Sequence, residues 1–227
     1  MDNCSKLIIP EVDVDFDLLK ENEAQFSMEF DQIGRPASIQ NAPWSEFPDK
    51  PDVQFRIAWC QDTFLLKYYV REREILGTYT QDGSDVFEDS CVELFLSPEG
   101  KESYYNFEFN CIGCALGQLG SQRDDRVPVE NTLLDQIIRI PSLGRSPYHN
   151  YHEGLVVEAP SWSLMVVIPV SVFFRESYTS FSGLKMRGNL YKCGDQLETP
   201  HYLCWNPIES EAPDFHRPEH FGELWFS

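Results

Sequence analysis

The chain has 227 residues, of which 42% are hydrophobic and 14% aromatic, enough to bury the core of one large domain or two small ones. Acidic residues outnumber basic ones 37 to 18, for a formal charge of −19; this argues against a nucleic-acid backbone or an anionic membrane surface as partner, because both are held through Lys and Arg. The longest apolar run, "LMVVIPVSVFF", is too short to span a bilayer and is interrupted by Pro169.

The amino terminus, "MDNCSKLIIPEVDVDFDLL", lacks a basic start followed by a long apolar run, so no signal peptide is expected. Seven cysteines (Cys4, Cys60, Cys91, Cys111, Cys114, Cys193 and Cys204) form an odd set at irregular spacing, which fits a reducing compartment where thiols serve as small buried hydrophobes. Cytoplasm is the literal reading; a processed or truncated terminus would place the protein outside it.

In chain order, "LIIP" reads as a strand, "VDFDLLKEN" as one or two helical turns, and "AQFSMEF" as a strand. "VQFRIAW" puts Val53, Phe55, Ile57 and Trp59 on one face, with Gln54 and Arg56 on the other. After the turn-like Cys60-Gln61-Asp62, "TFLLKYYV" aligns Phe64, Leu66, Tyr68 and Val70, so the pair predicts a hairpin. "CVELFLS" turns Val92, Leu94 and Leu96 inward, leaving Cys91, Glu93 and Phe95 on the reverse. "YYNFEFNC" alternates Tyr105, Phe107 and Phe109 with Asn106, Glu108 and Asn110. Residues 120 to 153 read mainly as loops with one short strand, "QIIRI". "LVVEA", "SWSLMVVIP", "LKMRGNLYKC", "PHYLCW" and "ELWF" are further strands, and "PVSVFF" reads as a short helix opening at Pro169. With no repeat and no linker rich enough to divide it, residues 1–227 predict a single domain. Its class is all-β, an antiparallel β-sandwich of immunoglobulin-like or DOMON-like type with one or two short helices.

Glu93 poses the functional question, because a carboxylate inside so apolar a strand is costly unless it has a partner. If its strand neighbours "YYNFEFNC", Glu93 meets Glu108 or Asn110 across the pair, and Gln54 and Arg56 could join the same side. Carboxylate, amide and guanidinium groups grip adjacent hydroxyls, and aromatic rings stack on pyranose faces, so a neutral sugar would suit such a patch. From alternation alone, however, a solvated sheet face is the simpler account.

The order of the motifs adds to this. "VFEDSCVELFLSP", "YYNFEFNCIG", "SLMVVIPVSVF", "GNLYKCGD", "HYLCWNPI" and "FHRPEHFGELWF" resemble the family-nine carbohydrate-binding modules, most closely a branch found as stand-alone proteins in gut bacteria. The resemblance covers most of residues 44–227. It implies a sandwich related to DOMON domains, in which two aromatics clamp the end of a glucan or xylan chain while a Glu and an Asn grip hydroxyls. Carried over by position, the clamp falls on Phe87 and Trp205, and the gripping pair on Glu93 and Asn110. Two departures are plain: Phe87 stands where the family usually has Trp, and Glu108 where it tends to have Arg. Arg56 and Glu108 complete the expected site. The function implied is non-catalytic binding of an oligosaccharide or polysaccharide. A glycoside-processing enzyme and a structural sandwich without a sugar ligand are the alternatives.

Other constellations carry less. Glu88, Asp89 and Glu93 have no fixed separation of the kind glycoside hydrolysis requires, and Asp89 suits a turn cap. Asp82, Ser84 and Asp85 in "QDGSDVFEDS" offer oxygens for calcium, which the family uses in places, but lack the loop spacing; no cofactor is assigned. His201, His216 and His220 with Cys193 and Cys204 match no zinc pattern. A haem ligand among Met28, Met165 and Met186 is a distant alternative, since Met165 reads as core filler. Arg217 and Pro218 read as a structural ion pair and a turn, Trp59 as core, and Trp44 as the cover of one end of the sandwich or the lining of a groove.

Overall fold

The computed structural model describes residues 5–227; Cys4 lies outside them. In chain order the elements are β1 (Lys6–Ile9), α1 (Phe16–Glu21), α2 (Glu23–Glu29), β2 (Arg35–Ser38), β3 (Asp52–Cys60), β4 (Thr63–Arg71), β5 (Glu74–Gly77), β6 (Cys91–Ser97), β7 (Tyr104–Asn110) and β8 (Ala115–Gly120). They continue with β9 (Val127–Pro128), α3 (Asn131–Leu134), β10 (Ile138–Pro141), β11 (Tyr148–Tyr151), β12 (Ser161–Pro169), β13 (Lys185–Cys193), β14 (Tyr202–Cys204) and β15 (Gly222–Phe226). An eight-stranded sheet runs β1-β15-β13-β6-β7-β8-β9, with β14 beside β13, and a five-stranded sheet runs β10-β12-β4-β3-β2. Pairing is antiparallel except for β1 on β15.

Period-two alternation builds the core. Val53, Phe55, Ile57 and Trp59 of β3 and Phe64, Leu66, Tyr68 and Val70 of β4 share one buried cluster with Val92, Leu94 and Leu96 of β6 and Tyr105, Phe107 and Phe109 of β7. The two sheets are joined through these rows, which is the expected sandwich. The β3–β4 hairpin closes on Gln61 and Asp62, with Cys60 opposite Thr63 and Gln61 at φ 57°, the left-handed backbone a two-residue hairpin turn requires.

Both outer faces are covered. α1, α2 and the 3₁₀ turn that follows (Phe30–Gln32) bury Leu19, Phe26 and Phe30 on Ala58, Leu65, Met165 and Val167, the outward row of the five-stranded sheet. "AQFSMEF" is therefore helix where a strand was expected: the Asn22 side chain accepts from Gln25 N at 3.0 Å, and Phe26 and Phe30 fall one turn apart on the same side. "LVVEA" is likewise a 3₁₀ turn (Val156–Glu158) with Val157 exposed. The outward row of the eight-stranded sheet lies beneath a second cluster, in which Cys91, Phe95, Tyr104, Tyr191 and Cys193 pack with Trp44, Ile208, Phe215 and Phe221. The polar face expected to meet solvent is instead roofed, and its carboxyls lie in a pocket under that roof.

The sandwich also holds a buried ionic cluster. Lys192 Nζ meets Glu72 at 2.7 Å and His201 Nε2 at 2.8 Å, Trp162 donates to Glu72 at 2.6 Å, and His201 lies 3.5 Å from Asp49. Burial and the neighbouring Lys192 ammonium hold His201 below the ordinary histidine range, so it accepts from Lys192 as a neutral imidazole.

Candidate functional site

Four adjacent strands lay the floor of a cavity of about 300 Å³. β13 contributes Cys193, β6 Glu93, β7 Glu108, and β8 Leu116 and Gln118. The register places Glu93 directly opposite Glu108 on one side and opposite Tyr191 on the other, with Glu108 facing Leu116. The 3₁₀ turn Val86–Glu88 brings in Phe87, preceded by Asp85; the segment after β13 supplies Asp195, β14 Tyr202, and the C-terminal strap Pro213, Asp214, Phe215 and His216. Arg123 and Arg126 reach in from the loop after β8.

Long-range hydrogen bonds hold this frame. Asp195 N donates to Phe87 O at 3.1 Å and Gln196 N to Glu88 O at 3.0 Å, clamping the Phe87 turn to the β13–β14 connection. Asp89 lies beneath it and accepts from Thr78 N, Tyr79 N, Thr78 Oγ1 and Asn110 Nδ2 at 2.7–3.0 Å, so it is a turn anchor as expected. Tyr191 stacks on Phe215 at 4.2 Å between centroids, and Tyr202 stands edge-on to Phe47 at 4.7 Å. Arg126 Nη1 donates to His216 Nε2 at 3.0 Å, which leaves His216 Nδ1 as donor to the Tyr104 hydroxyl at 2.9 Å. Burial and the two arginines push His216 down to about 3, so this imidazole is neutral.

The floor carboxyls are each only 3% exposed, and among the described residues neither forms an ion pair within 4.0 Å. Burial first, and the Glu108 carboxylate second, hold Glu93 well above the usual carboxylate range. Burial pushes Glu108 up to about 7 against the pull of Asn106, whose Nδ2 donates to Oε1 at 2.8 Å. Glu108 Oε2 and Asn106 Oδ1 are buried without a hydrogen-bond partner. Cys193 Sγ donates to Glu93 Oε1 at 3.1 Å. A floor of this kind offers both donors and acceptors of protons, while Phe87, Tyr202 and Phe215 give the walls flat apolar faces.

Three of the six residues expected at the site meet here: Phe87, Glu93 and Glu108. The other three lie elsewhere. Asn110 is opposite Cys91 and its amide is fully used, donating to Tyr79 O and Asp89 and accepting from Cys114 N, each at 2.8 Å. Arg56 belongs to β3 of the other sheet and donates to Ile33 O and Gly34 O at 3.2 and 3.3 Å. Trp205 packs against the main core over Gly222, where an added Cβ would come within 2.4 Å of its ring, and edges a separate cleft with Gln40, Asn41 and Pro207. The expected convergence of two rings with an acid–amide couple is thus corrected: the rings facing Phe87 in this cavity are Tyr202 and Phe215. Alternation contained the signal for Tyr202. Leu203 faces the inner core, so Tyr202 and Cys204 share the outer face with Cys193, and Trp205 has the parity of Leu203.

The remaining constellations separate. Asp82, considered above for calcium, is instead taken up by protein partners: it pairs with Arg139 at 2.6 Å and accepts from Ala115 N. Arg217 pairs with Glu219 at 2.7 Å, and Pro218 opens a 3₁₀ turn. Met165 is core, whereas Met28 is exposed. Trp59 is buried in the main core, and Trp44 is buried behind the pocket walls, tilted on Phe215 at 6.0 Å.

Fold and site together define an antiparallel β-sandwich with a roofed, carboxyl-floored pocket on its eight-stranded sheet. Residues 22–226 match the model of carbohydrate-binding family 9, and the chain belongs to that family. Among solved structures, it is similar to a candidate carbohydrate-binding protein from Bacteroides uniformis ATCC 8492, at 36% identity over 99% of this chain and 100% of that one, with a TM-score of 0.84. It also shares its fold with a family 9 carbohydrate-binding module from Caldicellulosiruptor kristjanssonii in complex with cellotriose, at 10% identity and a TM-score of 0.55 over 98% of this chain and 93% of that one. No curated protein matches the chain.

Proposed function

We propose that the protein binds a carbohydrate of glucan or xylan type in the pocket of the eight-stranded sheet and does not transform it. The observation that carries this reading is the union, in one cavity of about 300 Å³, of a two-carboxyl floor with three aromatic walls, in a chain of this family. That volume is at the small end for ligand sites, so it suits one sugar ring or a short chain end. Protonated Glu93 donates to one hydroxyl and accepts from another, Glu108 Oε2 accepts a hydrogen bond from a sugar hydroxyl that no protein donor supplies, and Arg123 and Arg126 add donors at the rim. Phe87, Tyr202 and Phe215 receive the apolar C–H faces of the ring. The cellotriose bound by the Caldicellulosiruptor module supports a β-glucan as the first ligand to try.

The carboxyls stand side by side on one sheet face, nearly closed from solvent. A glycosidase needs its two carboxyls to flank the scissile bond, one of them with access to water. The paired placement therefore supports hydroxyl binding over hydrolysis.

A glycan array followed by calorimetry on the hits tests the reading. Wild type is expected to bind, and Tyr202→Ala and Phe87→Ala to weaken binding roughly 3- to 10-fold, the scale of one ring contact. No hit on the array, or equal affinity in both variants, would overturn it; release of chromophore from aryl glycosides that Glu93→Gln abolishes would establish turnover instead.

A further inference from the structure

The sequence grouped Cys193 with histidines, but the fold groups it with another thiol and an acid. Cys91 and Cys193 are directly opposite one another on β6 and β13, and Glu93 is the next residue of β6 on the same face. One donor atom from each of Cys91, Glu93 and Cys193 lies within 4.8 Å of the others, the one such three-residue group among the described residues. All three are buried, yet Glu93 and Cys193 also line the pocket, which gives an entry path from solvent. We propose that this floor is a binding site for a single soft divalent cation of the zinc class, held by Cys91 Sγ, Cys193 Sγ and the Glu93 carboxylate.

Charge and donor chemistry support it. A buried carboxyl is normally paired with a cation or bound to a metal, and neither Glu93 nor Glu108 has an ion-pair partner among the described residues. Glu108 Oε2, buried and unpartnered, lines the same cavity and is a second, independent sign of a missing cationic or protic group. Two thiols with one carboxylate favour zinc or cadmium over calcium or magnesium, which take oxygen ligands. Three protein ligands would leave one tetrahedral position for water or another ligand, and two of the three, Glu93 and Cys193, border the pocket. Binding converts two thiols and one carboxylic acid into two thiolates and a carboxylate and releases three protons to solvent, so the site goes from neutral to a single negative charge. Arg123 and Arg126, on the same cavity, offset that charge. The frame is rigid, because each ligand is on a central strand with paired neighbours.

The metal site shares Glu93 and the cavity with the proposed sugar site, so the two readings are tested apart: the metal is titrated without sugar, and glycans are titrated into chelator-treated protein. Reduced, chelator-stripped full chain at pH 7.5 is titrated with Cd²⁺ and followed by the ultraviolet cadmium–thiolate band. One equivalent with an intensity corresponding to two thiolates is expected. Cys91→Ser and Cys193→Ser should each abolish the one-equivalent plateau, Glu93→Gln should weaken binding at least about 10-fold, and Cys111→Ser, in the main core, should leave the titration unchanged. No band in folded wild type, or a band that survives both serine variants, would overturn the proposal. If either serine variant fails to fold, X-ray absorption on zinc-loaded wild type decides: two sulfur neighbours uphold the site, and a sulfur-free shell refutes it.

Discussion

Glu108→Gln isolates the cost of the carboxyl floor. In the unfolded chain Glu108 ionises near 4.5, and in the fold burial raises it to about 7. A raised carboxyl binds its proton more tightly in the native state, so its contribution to stability is complete below pH 4.5 and is lost as pH rises through 7. At about 1.4 kcal/mol per pH unit, the rise from 4.5 to about 7 amounts to about 3 kcal/mol withdrawn from wild type by pH 8. Glutamine preserves the acceptor for Asn106 Nδ2, and its new amide can face the unpartnered Asn106 Oδ1 while carrying no charge to desolvate. Thermal unfolding of metal-free protein at pH 4 and pH 8 is the assay. The variant should match wild type at pH 4 and melt roughly 6–12 °C higher at pH 8, on the scale of a chain this long. An equal difference at both pH values, or a variant less stable at pH 8, would show that Glu108 is compensated in solution and refute the reasoning.

Trp205→Ala should leave glycan affinity within about twofold while lowering the melting temperature, because its ring covers Gly222 and the main core and does not line the pocket. Asn110→Ala should destabilise by roughly 2–4 kcal/mol in urea titration, since it strips donors from Asp89 and Tyr79 O and an acceptor from Cys114 N, without altering the pocket walls. Lys192→Met should cost about 3–5 kcal/mol by leaving Glu72 buried and unpaired, and adding Glu72→Gln should recover a large part of it; a non-destabilising single variant would mean that the pair contributes nothing.

What was legible in the sequence followed from local periodicity. Alternation by twos assigned Phe55, Tyr68, Leu94 and Phe107 to the inner core, put Glu93 and Glu108 on one face, and paired β3 with β4, because successive side chains of a strand point to opposite sides wherever the strand is placed. The motif order further supplied the family. The limits were equally physical. "AQFSMEF" alternates well enough to read as a strand, yet the Asn22 cap and the uncovered row on β4 and β12 make it a helix. Arg56 has the parity of a polar face, but parity does not say which of two sheets a strand enters.

By itself, then, the sequence determined the sandwich, its inner rows and the acid pair, since each depends on residues within one strand or one hairpin. Only the tertiary structure decided that the outer face is roofed, that Tyr202 and Phe215 rather than Trp205 wall the cavity, and that Cys91 meets Cys193. Those outcomes rest on contacts between segments distant in sequence, such as Cys193 on Glu93, 100 positions away, and His216 on Arg126, 90 positions away, and no local pattern encodes which distant segments will close over a face.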